Sequence, residues 1–350
     1  MLTKHYEQAK TTYTSTYISS LFILLSLFLG GCQQQQLLPN TLDEYHTRLA
    51  RVLALPEHVS TPVISLHYPS PEQRNISIPR ISMPLADFYA ISGCELAPLI
   101  AQRNTSLGKV EPPSRRLVYE ATLLHTITRC IELAGAIETQ ANATLYDTLT
   151  SKQSHYPKAW ANLIQNSQSI RLGLGFSPGY IEGDISDGFV ETKAALQYLL
   201  QARSTPPLDI THLESQLAIL ESFRLLARLY RSTQLLTQKL GHINQQLSEY
   251  NNDFTCANPA VKTQIKILNN VMKQFFIQGL QPIASHINRY QRELTPVLNQ
   301  IMSSPDIHPA MSAYLDTQTQ SFDAYQTAFK DHVGLLQQVL ATCGLRPTVN

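Results

Sequence analysis

Residues 226–250 read LARLYRSTQLLTQKLGHINQQLSEY, and this stretch decides the fold class. Its mostly apolar positions recur after three and then four residues, which places them on one stripe of a single helix. The stripe consists of Leu226, Leu229, Thr233, Leu236, Leu240, Ile243, Leu247 and Tyr250. A helix cannot bury such a stripe by itself, so the stretch predicts packing against other helices.

The same pattern continues on both sides of this stretch. Upstream, apolar residues from Leu213 to Leu220 extend the helix towards a start near Pro207, whose fixed φ suits a first helical turn. Downstream, residues 283–301 and 322–343 form two more long amphipathic segments. Three such segments must bury their stripes against one another. This predicts an all-α fold, an antiparallel multi-helix bundle with long C-terminal helices.

The first half of the chain is helical with more interruptions. Near residues 62–82, apolar residues alternate between prolines, so we expect a short extended segment or a small β-hairpin. We expect the Gly-Leu-Gln-Pro sequence at residues 279–282 to break a helix that starts near Pro259. The other predicted helices span residues 42–55, 85–102, 114–134, 141–151, 158–169 and 188–202. Because no long linker follows residue 41, residues 42–350 are predicted to form a single α-helical domain.

Composition and charge exclude several classes of protein. Of the 350 residues, 43% are hydrophobic and 15% are charged, which excludes a collagen, a disordered charged tail and a polytopic membrane protein. The chain has 27 basic and 26 acidic residues. Removal of a leader that contains Lys4, Glu7 and Lys10 would leave 25 of each. This balance predicts no nucleic-acid partner.

The N-terminus has the order of a secretory signal peptide. Residues 1–20 are polar with two lysines, residues 21–29 are apolar, and small residues follow before Cys32. The apolar run at residues 18–31 is only 14 residues long, whereas a transmembrane helix needs about 20. We therefore predict a signal peptide at residues 1–31.

The sequence Leu29-Gly30-Gly31-Cys32 resembles the lipobox of bacterial lipoproteins. The resemblance implies cleavage before Cys32, a diacylglyceryl group on its thiol and an acyl chain on the new amine. Gln33, where an aspartate could stand, implies an outer-membrane protein that faces the periplasm. Residues 32–41 would then be a flexible tether. The alternatives are a chance cysteine after an ordinary signal peptide and a short uncleaved anchor.

Four cysteines remain for the exported domain: Cys94, Cys130, Cys256 and Cys343. An even number of cysteines in an oxidising compartment predicts two disulfides. We favour Cys94 with Cys130 and Cys256 with Cys343, because each pair flanks one predicted helical hairpin. The other two connectivities and unpaired buried thiols remain open. A metal site is disfavoured because no CxxC motif occurs.

The most distinctive stretch of the chain is residues 79–131. It contains CEL at residues 94–96, AQRNTSLGKV at residues 101–110, PSRRLVYE at residues 113–120 and RCI at residues 129–131. The stretch resembles an uncharacterised, domain-of-unknown-function family of gamma-proteobacterial lipoproteins, and the resemblance continues over most of the mature chain. It implies an envelope lipoprotein and carries no activity with it.

Motifs typical of catalytic sites are incomplete. Residues 175–179 match G-x-S-x-G, but Pro178 has no N–H for an oxyanion hole, which favours an ordinary loop. The pairs Glu214-Ser215 and Glu221-Ser222 resemble the catalytic dipeptide of lytic transglycosylases, although a solvated helix face explains both glutamates. The spacing of the histidines suggests no metal site, and the sequence contains no phosphate-binding loop. We therefore predict no cofactor and no catalytic residue.

Glu120 is unusual because it leans towards the apolar face that Leu117, Leu124 and Ile127 define. A buried carboxylate must be paired or must take up a proton. We expect an ion pair with Arg103, Arg115 or Arg116, and a catalytic role is the alternative.

Residues 103–116, which we call the basic segment, are the best candidate for function. The predicted anion or partner contacts are Arg103, Asn104, Lys109, Arg115 and Arg116, against the single acid Glu111. A rigid scaffold commonly presents a binding loop in this way, although these residues could also cap and cross-link helix ends. Two functions follow: an envelope lipoprotein that binds an unknown protein or anionic component without catalysis, or a hydrolase or lyase of cell-wall polymer that uses Glu120 or Glu221.

Overall fold

The structure is a computed structural model that describes residues 37–56, 66–79, 94–105, 111–134, 140–182 and 187–345. Within these residues the regular elements are helices and no strand occurs, so the all-α prediction is confirmed. A 3₁₀ turn lies at Pro71–Gln73 and a π-helix at Met272–Leu280. The α-helices are α1 Leu37–Leu53, α2 Leu96–Asn104, α3 Pro113–Ala134, α4 Gln140–Asn166, α5 Gln168–Gly175, α6 Phe189–Gln201, α7 Ile210–Phe223, α8 Leu225–Asp253, α9 Pro259–Val271, α10 Gln281–Met302 and α11 Pro309–Thr342.

The most extensive contact in the bundle is between α8 and α11. The side chain of Asn244 donates a 2.8 Å hydrogen bond to the carbonyl of Ala328, and that of Asn251 donates one of 3.3 Å to the carbonyl of Leu335. The partners advance in the same direction along both helices, so α8 and α11 run parallel. They do so because α9, the π-helix and α10 carry the chain back between them.

The single helix predicted from Pro207 to Tyr250 is wrong. The chain turns at Arg224, which has a left-handed φ of 47° and separates α7 from α8. Close packing of α7 on α5 explains the turn, because a Cβ on Gly173 would lie 2.9 Å from the carbonyl oxygen of Leu220. The turn lets α7 pack on α5 while α8 packs on α11.

Two predicted helix breaks are absent. The helices expected at residues 141–151 and 158–169 are joined in α4, which continues through Pro157. The burial of Tyr156 and Trp160 on either side of this proline accounts for the continuity. The Gly-Leu-Gln-Pro sequence lies where the π-helix passes directly into α10, and Pro282 occupies the first turn of α10.

The first helix begins earlier than expected. We predicted a tether through residue 41, but α1 starts at Leu37, and Leu38 is completely buried. Of the helix predicted at residues 85–102, residues 85–93 lie outside the described part of the chain; in the described part, Cys94 and Glu95 are not helical and α2 begins at Leu96.

The predicted extended segment forms no strand in its described part, residues 66–79. There, the N–H of Ile76 donates a 2.9 Å hydrogen bond to Oδ1 of Asn162, and Nδ2 of Asn162 donates one of 2.7 Å back to the carbonyl of Ile76. A side-chain amide thus satisfies the backbone groups that a neighbouring strand would otherwise pair.

A buried polar network joins three helices in the main core. Nε2 of His332 in α11 lies 2.6 Å from the Tyr45 hydroxyl of α1, and Nδ1 lies 2.8 Å from Oδ1 of Asn244 in α8. His332 is completely buried, and this burial lowers its pKa to about 3. A neutral imidazole with both ring nitrogens paired meets the requirement that buried polar groups be hydrogen-bonded.

Both disulfides favoured from the sequence are present in the structure. Cys94 pairs with Cys130, and Cys256 pairs with Cys343. The second bond joins the chain just after α8 to the end of α11, which are neighbours because these helices run parallel. The first bond ties the start of α2 to α3.

Candidate functional site

The N-terminal helices build a second, smaller hydrophobic cluster beside the main core. It is formed by α2, by the part of α3 after Glu120 and by the part of α4 before Lys152, and we call this unit the arm. Its buried residues are Leu96, Ile100, Leu123, Ile127, Cys130 and Leu145. The start of α3, with Leu117, and the part of α4 after Lys152, with Tyr156, belong to the main core. The arm therefore has its own core and its own disulfide.

A buried ion cluster separates the two hydrophobic clusters. The side chain of Glu120 is completely buried, and its Oε2 lies 3.1 Å from Nζ of Lys152, which is 3% exposed. Arg116, one turn before Glu120 on α3, contacts the other carboxylate oxygen. Of the three arginines predicted as partners, Arg116 makes the ion pair. We call Arg116, Glu120 and Lys152 the neck cluster.

Lys152 is not among the residues predicted from the sequence, although its position carries a signal. Leu145, Leu149, Lys152 and Tyr156 are spaced by four, three and four residues, so the lysine occupies a position on the buried stripe of α4. A lysine at such a position needs an anionic partner, and Glu120 is the buried acid on the facing helix.

The pKa values of the surrounding groups reflect burial and positive charge. Burial lowers the pKa of Lys152, and the charge of Glu120 opposes this change. Burial and then the charges of Lys152 and Lys158 lower the pKa of His155. Tyr119 has a pKa raised to about 12, mainly by burial and also by Glu120. The neck cluster itself contains two cations, Arg116 and Lys152, and one acid, Glu120.

Arg103, from the last turn of α2, extends this positive region. Its guanidinium carbon lies 6.0 Å from the ring centroid of Tyr119, and that of Arg116 lies 5.6 Å from the same ring. Its Nη1 is 4.0 Å from Glu111, too far for a hydrogen bond. Among the described residues, the buried Nε and Nη1 atoms of Arg103 have no hydrogen-bond acceptor. Burial, followed by the charge of Arg116, lowers the pKa of Arg103.

The remaining predicted contact residues differ in their surroundings. Arg115 is exposed on the first turns of α3, and no ion pair to it occurs among the described residues. Asn104 is the last residue of α2, and its side chain lies outside the described part, as does the whole of Lys109. The structure therefore brings Arg103 and Arg116 together around one tyrosine and leaves Arg115 facing solvent.

The glutamates and the serine singled out as catalytic candidates have ordinary partners. Glu214 accepts a hydrogen bond from the hydroxyl of Ser114, and Glu221 accepts one of 2.7 Å from the hydroxyl of Ser169. Ser177 is buried in the loop after α5, and its hydroxyl accepts a 3.1 Å hydrogen bond from the N–H of Gly179. These contacts are typical of structural roles.

The described residues form neither a metal-binding cluster nor a helix that could span a bilayer. No group of three or more His, Cys, Asp or Glu side chains there comes together in a way that could hold a metal ion. Among the described helices, none combines the length and the hydropathy that a bilayer span requires.

Comparison with known proteins assigns the chain to a family. A family model described as "Protein of unknown function (DUF3080)" matches residues 42–347. The chain belongs to DUF3080. No curated protein and no solved structure matches it.

The DUF3080 match includes both the arm and the main bundle. All four disulfide cysteines and all members of the neck cluster lie inside it, whereas Cys32 lies before it. Membership in DUF3080 agrees with the uncharacterised family that residues 79–131 resemble, and its description carries no activity.

Proposed function

We propose that this DUF3080 protein is a lipoprotein of the cell envelope, anchored to the outer membrane through lipid on Cys32 and facing the periplasm. The Leu-Gly-Gly-Cys sequence at the end of the leader supports the anchor. Pairing of the other four cysteines in disulfides suits an oxidising compartment. Two or three acyl chains are enough for durable anchoring.

The function that the geometry supports best is binding without catalysis, at the basic segment, between α2 of the arm and the start of α3. The observation that carries this proposal is Arg115, whose side chain is exposed on α3 and makes no ion pair among the described residues. The partly exposed Arg103 of the same segment has only Glu111, 4.0 Å away, as an ion-pair partner among the described residues. Carboxylate or phosphate groups of a partner would bind these guanidinium groups, because the geometries of the two match.

A hydrolase or lyase that uses Glu120 or Glu221 has less support. A general acid must lie within hydrogen-bond reach of its substrate. Glu120 is completely buried between Arg116 and Lys152, and Glu221 accepts a hydrogen bond from Ser169.

The lipid anchor predicts a complete loss of acylation when its cysteine is removed. In cells fed a clickable fatty acid, the wild-type protein should be labelled and Cys32→Ser should not. Cys94→Ala is the matched control, because it removes a cysteine of the domain and should leave the label unchanged. Equal labelling of the wild type and Cys32→Ser would contradict the anchor.

The binding proposal predicts that the partner is lost when the two guanidinium groups are removed. Formaldehyde crosslinking in cells, followed by mass spectrometry, should recover a partner with the wild type and little or none with Arg103→Gln/Arg115→Gln. Arg115 is exposed, and exposed charges contribute only about 0 to 1 kcal/mol to folding. The single variant Arg115→Gln should therefore keep the wild-type melting temperature and still weaken the crosslink.

Arg129→Gln is the control for this experiment, because Arg129 is an exposed arginine of α3 outside the basic segment. It should retain the partner. If Arg103→Gln/Arg115→Gln is folded and gives the same crosslinked partner as the wild type, the basic segment is not the binding site.

A further inference from the structure

A groove of about 430 Å³ lies between α10 and α11, on a part of the molecule that the proposed function does not use. Six of its lining residues recur after three or four positions of α10 and so form one stripe beside the buried face of that helix. The lining residues are Gln281, Ala284, Ser285, Asn288, Arg289, Arg292 and Phe329. The groove has the size of a small-molecule site.

The groove carries two positive charges that the described structure leaves without a counter-ion. Neither Arg289 nor Arg292 makes an ion pair among the described residues, and none of the described lining residues is acidic. The nearest acid along α10, Glu293, is bound to Lys193 at 2.9 Å; the hydrogen bond from Lys193 and then the charges of Lys193 and both arginines lower its pKa. Two guanidinium groups one turn apart on a helix repel each other. An anion between them would remove this repulsion.

Arg289 is held in place by aromatic rings. Its guanidinium carbon lies 5.0 Å from the ring centroids of both Phe189 and Tyr290, and these two rings stack at 4.6 Å. The hydroxyl of Tyr290 donates a hydrogen bond to the buried Asp187, which orients the ring. Stacking uses the face of the guanidinium and leaves N–H groups in its plane for an acceptor. Arg289 is therefore largely preorganised to bind an anion.

The rest of the groove offers a different chemistry. The half-buried Phe329 of α11 and the buried Ala284 of α10 give it an apolar side, and the exposed Ser285 and Asn288 add a hydroxyl and an amide. A few polar groups beside apolar side chains are typical of sites for small ligands. The ring of Phe329 can pack against an apolar ring or chain of a ligand whose acid group lies at the arginines.

We propose that this groove binds a small soluble molecule that carries a phosphate or carboxylate group next to an apolar ring or chain. Arg289 and Arg292 bind the acid group with charge-assisted hydrogen bonds, and Phe329 packs against the apolar part. The site is separate from the arm and does not depend on the binding proposed there.

Phenyl phosphate is a suitable probe, because it combines one phosphate with one aromatic ring. Isothermal titration calorimetry on the full chain in a nonionic detergent should show saturable binding of phenyl phosphate. Arg292→Gln should weaken it about tenfold, the effect of losing one charge-assisted contact. Phe329→Ala should weaken binding of phenyl phosphate and leave that of inorganic phosphate unchanged.

The controls separate loss of the site from loss of the fold. Arg51→Gln, which removes an exposed arginine of α1, should bind phenyl phosphate as the wild type does. We choose the exposed Arg292 for substitution, because Arg289 contacts two rings that its replacement would disturb. The proposal is wrong if phenyl phosphate gives no saturable heat, or if folded Arg292→Gln binds it with wild-type affinity. Binding to phosphatidylglycerol vesicles without binding of phenyl phosphate would also overturn it, since the ligand would then be a lipid surface.

Discussion

Replacement of Glu120 by leucine should lower the free energy of unfolding at pH 7 by about 3 to 5 kcal/mol. The substitution leaves Lys152, which is 3% exposed, and the mostly buried Arg116 without their shared anion. Unpaired buried charges cost more than the ion pair contributes, because they keep the desolvation penalty and lose the attraction. Urea unfolding of the wild type and Glu120→Leu, followed by circular dichroism, measures the difference.

The double variant Glu120→Leu/Lys152→Met is the matched control. It removes the acid together with its more buried cation, so we expect a stability within about 1 kcal/mol of the wild type. A loss in the double variant as large as in the single variant would mean that the shape of the side chains, and not their charge, holds α3 against α4.

The pH dependence of the Glu120→Leu variant should identify Lys152 as the cause. Burial already lowers the pKa of Lys152 from 10.5, and removal of Glu120 takes away the charge that opposes this change. In the unfolded chain, Lys152 keeps its proton up to a higher pKa than in the folded protein. Unfolding therefore takes up protons at pH values between the folded and unfolded pKa of Lys152. Stability rises with pH in that window. The deficit of Glu120→Leu should therefore shrink as the pH rises from 7 towards 10, and it should stay constant if Lys152 is not involved.

Removal of the disulfide between Cys256 and Cys343 should cost about 4 kcal/mol. The two cysteines are 87 positions apart, and the bond restricts the unfolded chain over the whole of α9, the π-helix, α10 and α11. Cys256→Ala/Cys343→Ala should give a correspondingly lower urea midpoint, measured with the protein prepared under oxidising conditions.

Removal of the arm disulfide is the comparison for this experiment. Cys94–Cys130 spans only 36 positions, and Cys130 belongs to the small cluster of the arm. We expect Cys94→Ala/Cys130→Ala to increase hydrogen exchange in α2 while the main bundle keeps most of its protection. If removal of the 256–343 bond leaves the urea midpoint unchanged, that bond does not restrict the unfolded chain in the way the loop model assumes.

Helix positions and buried faces could be predicted where the pattern is local. The stripe that begins at Leu226 is buried as expected, and Ile243 and Leu247 within it are almost completely inaccessible to solvent. Such a pattern is informative because the helical period itself places these residues on one side of the helix. The need of Glu120 for a cationic partner was predictable for a similar reason, since its position relative to Leu117 implied burial.

Other features depend on contacts between distant segments. Nothing in the residues around Arg224 marks a turn, because neither glycine nor proline occurs there, and the break follows from the packing of α7 on α5. Lys152 became the partner of Glu120 because α3 and α4 form a hairpin in which these two positions face each other. The groove between α10 and α11 exists only because Phe329 is brought to the stripe that contains Arg292.

Residue patterns within single segments are enough to predict that this protein is all-α, that its long C-terminal helices share a core, and that Glu120 requires a positive partner. These conclusions rest on spacing within one segment and on the cost of burying apolar stripes and charges, which act wherever the helices are placed. Four features follow only from the tertiary structure: the parallel pairing of α8 and α11, the arm with its own core, the pairing of Lys152 with Glu120, and the groove between α10 and α11. Each of these depends on the positions of helices far apart in the chain, and those positions are set by how whole helix surfaces fit together.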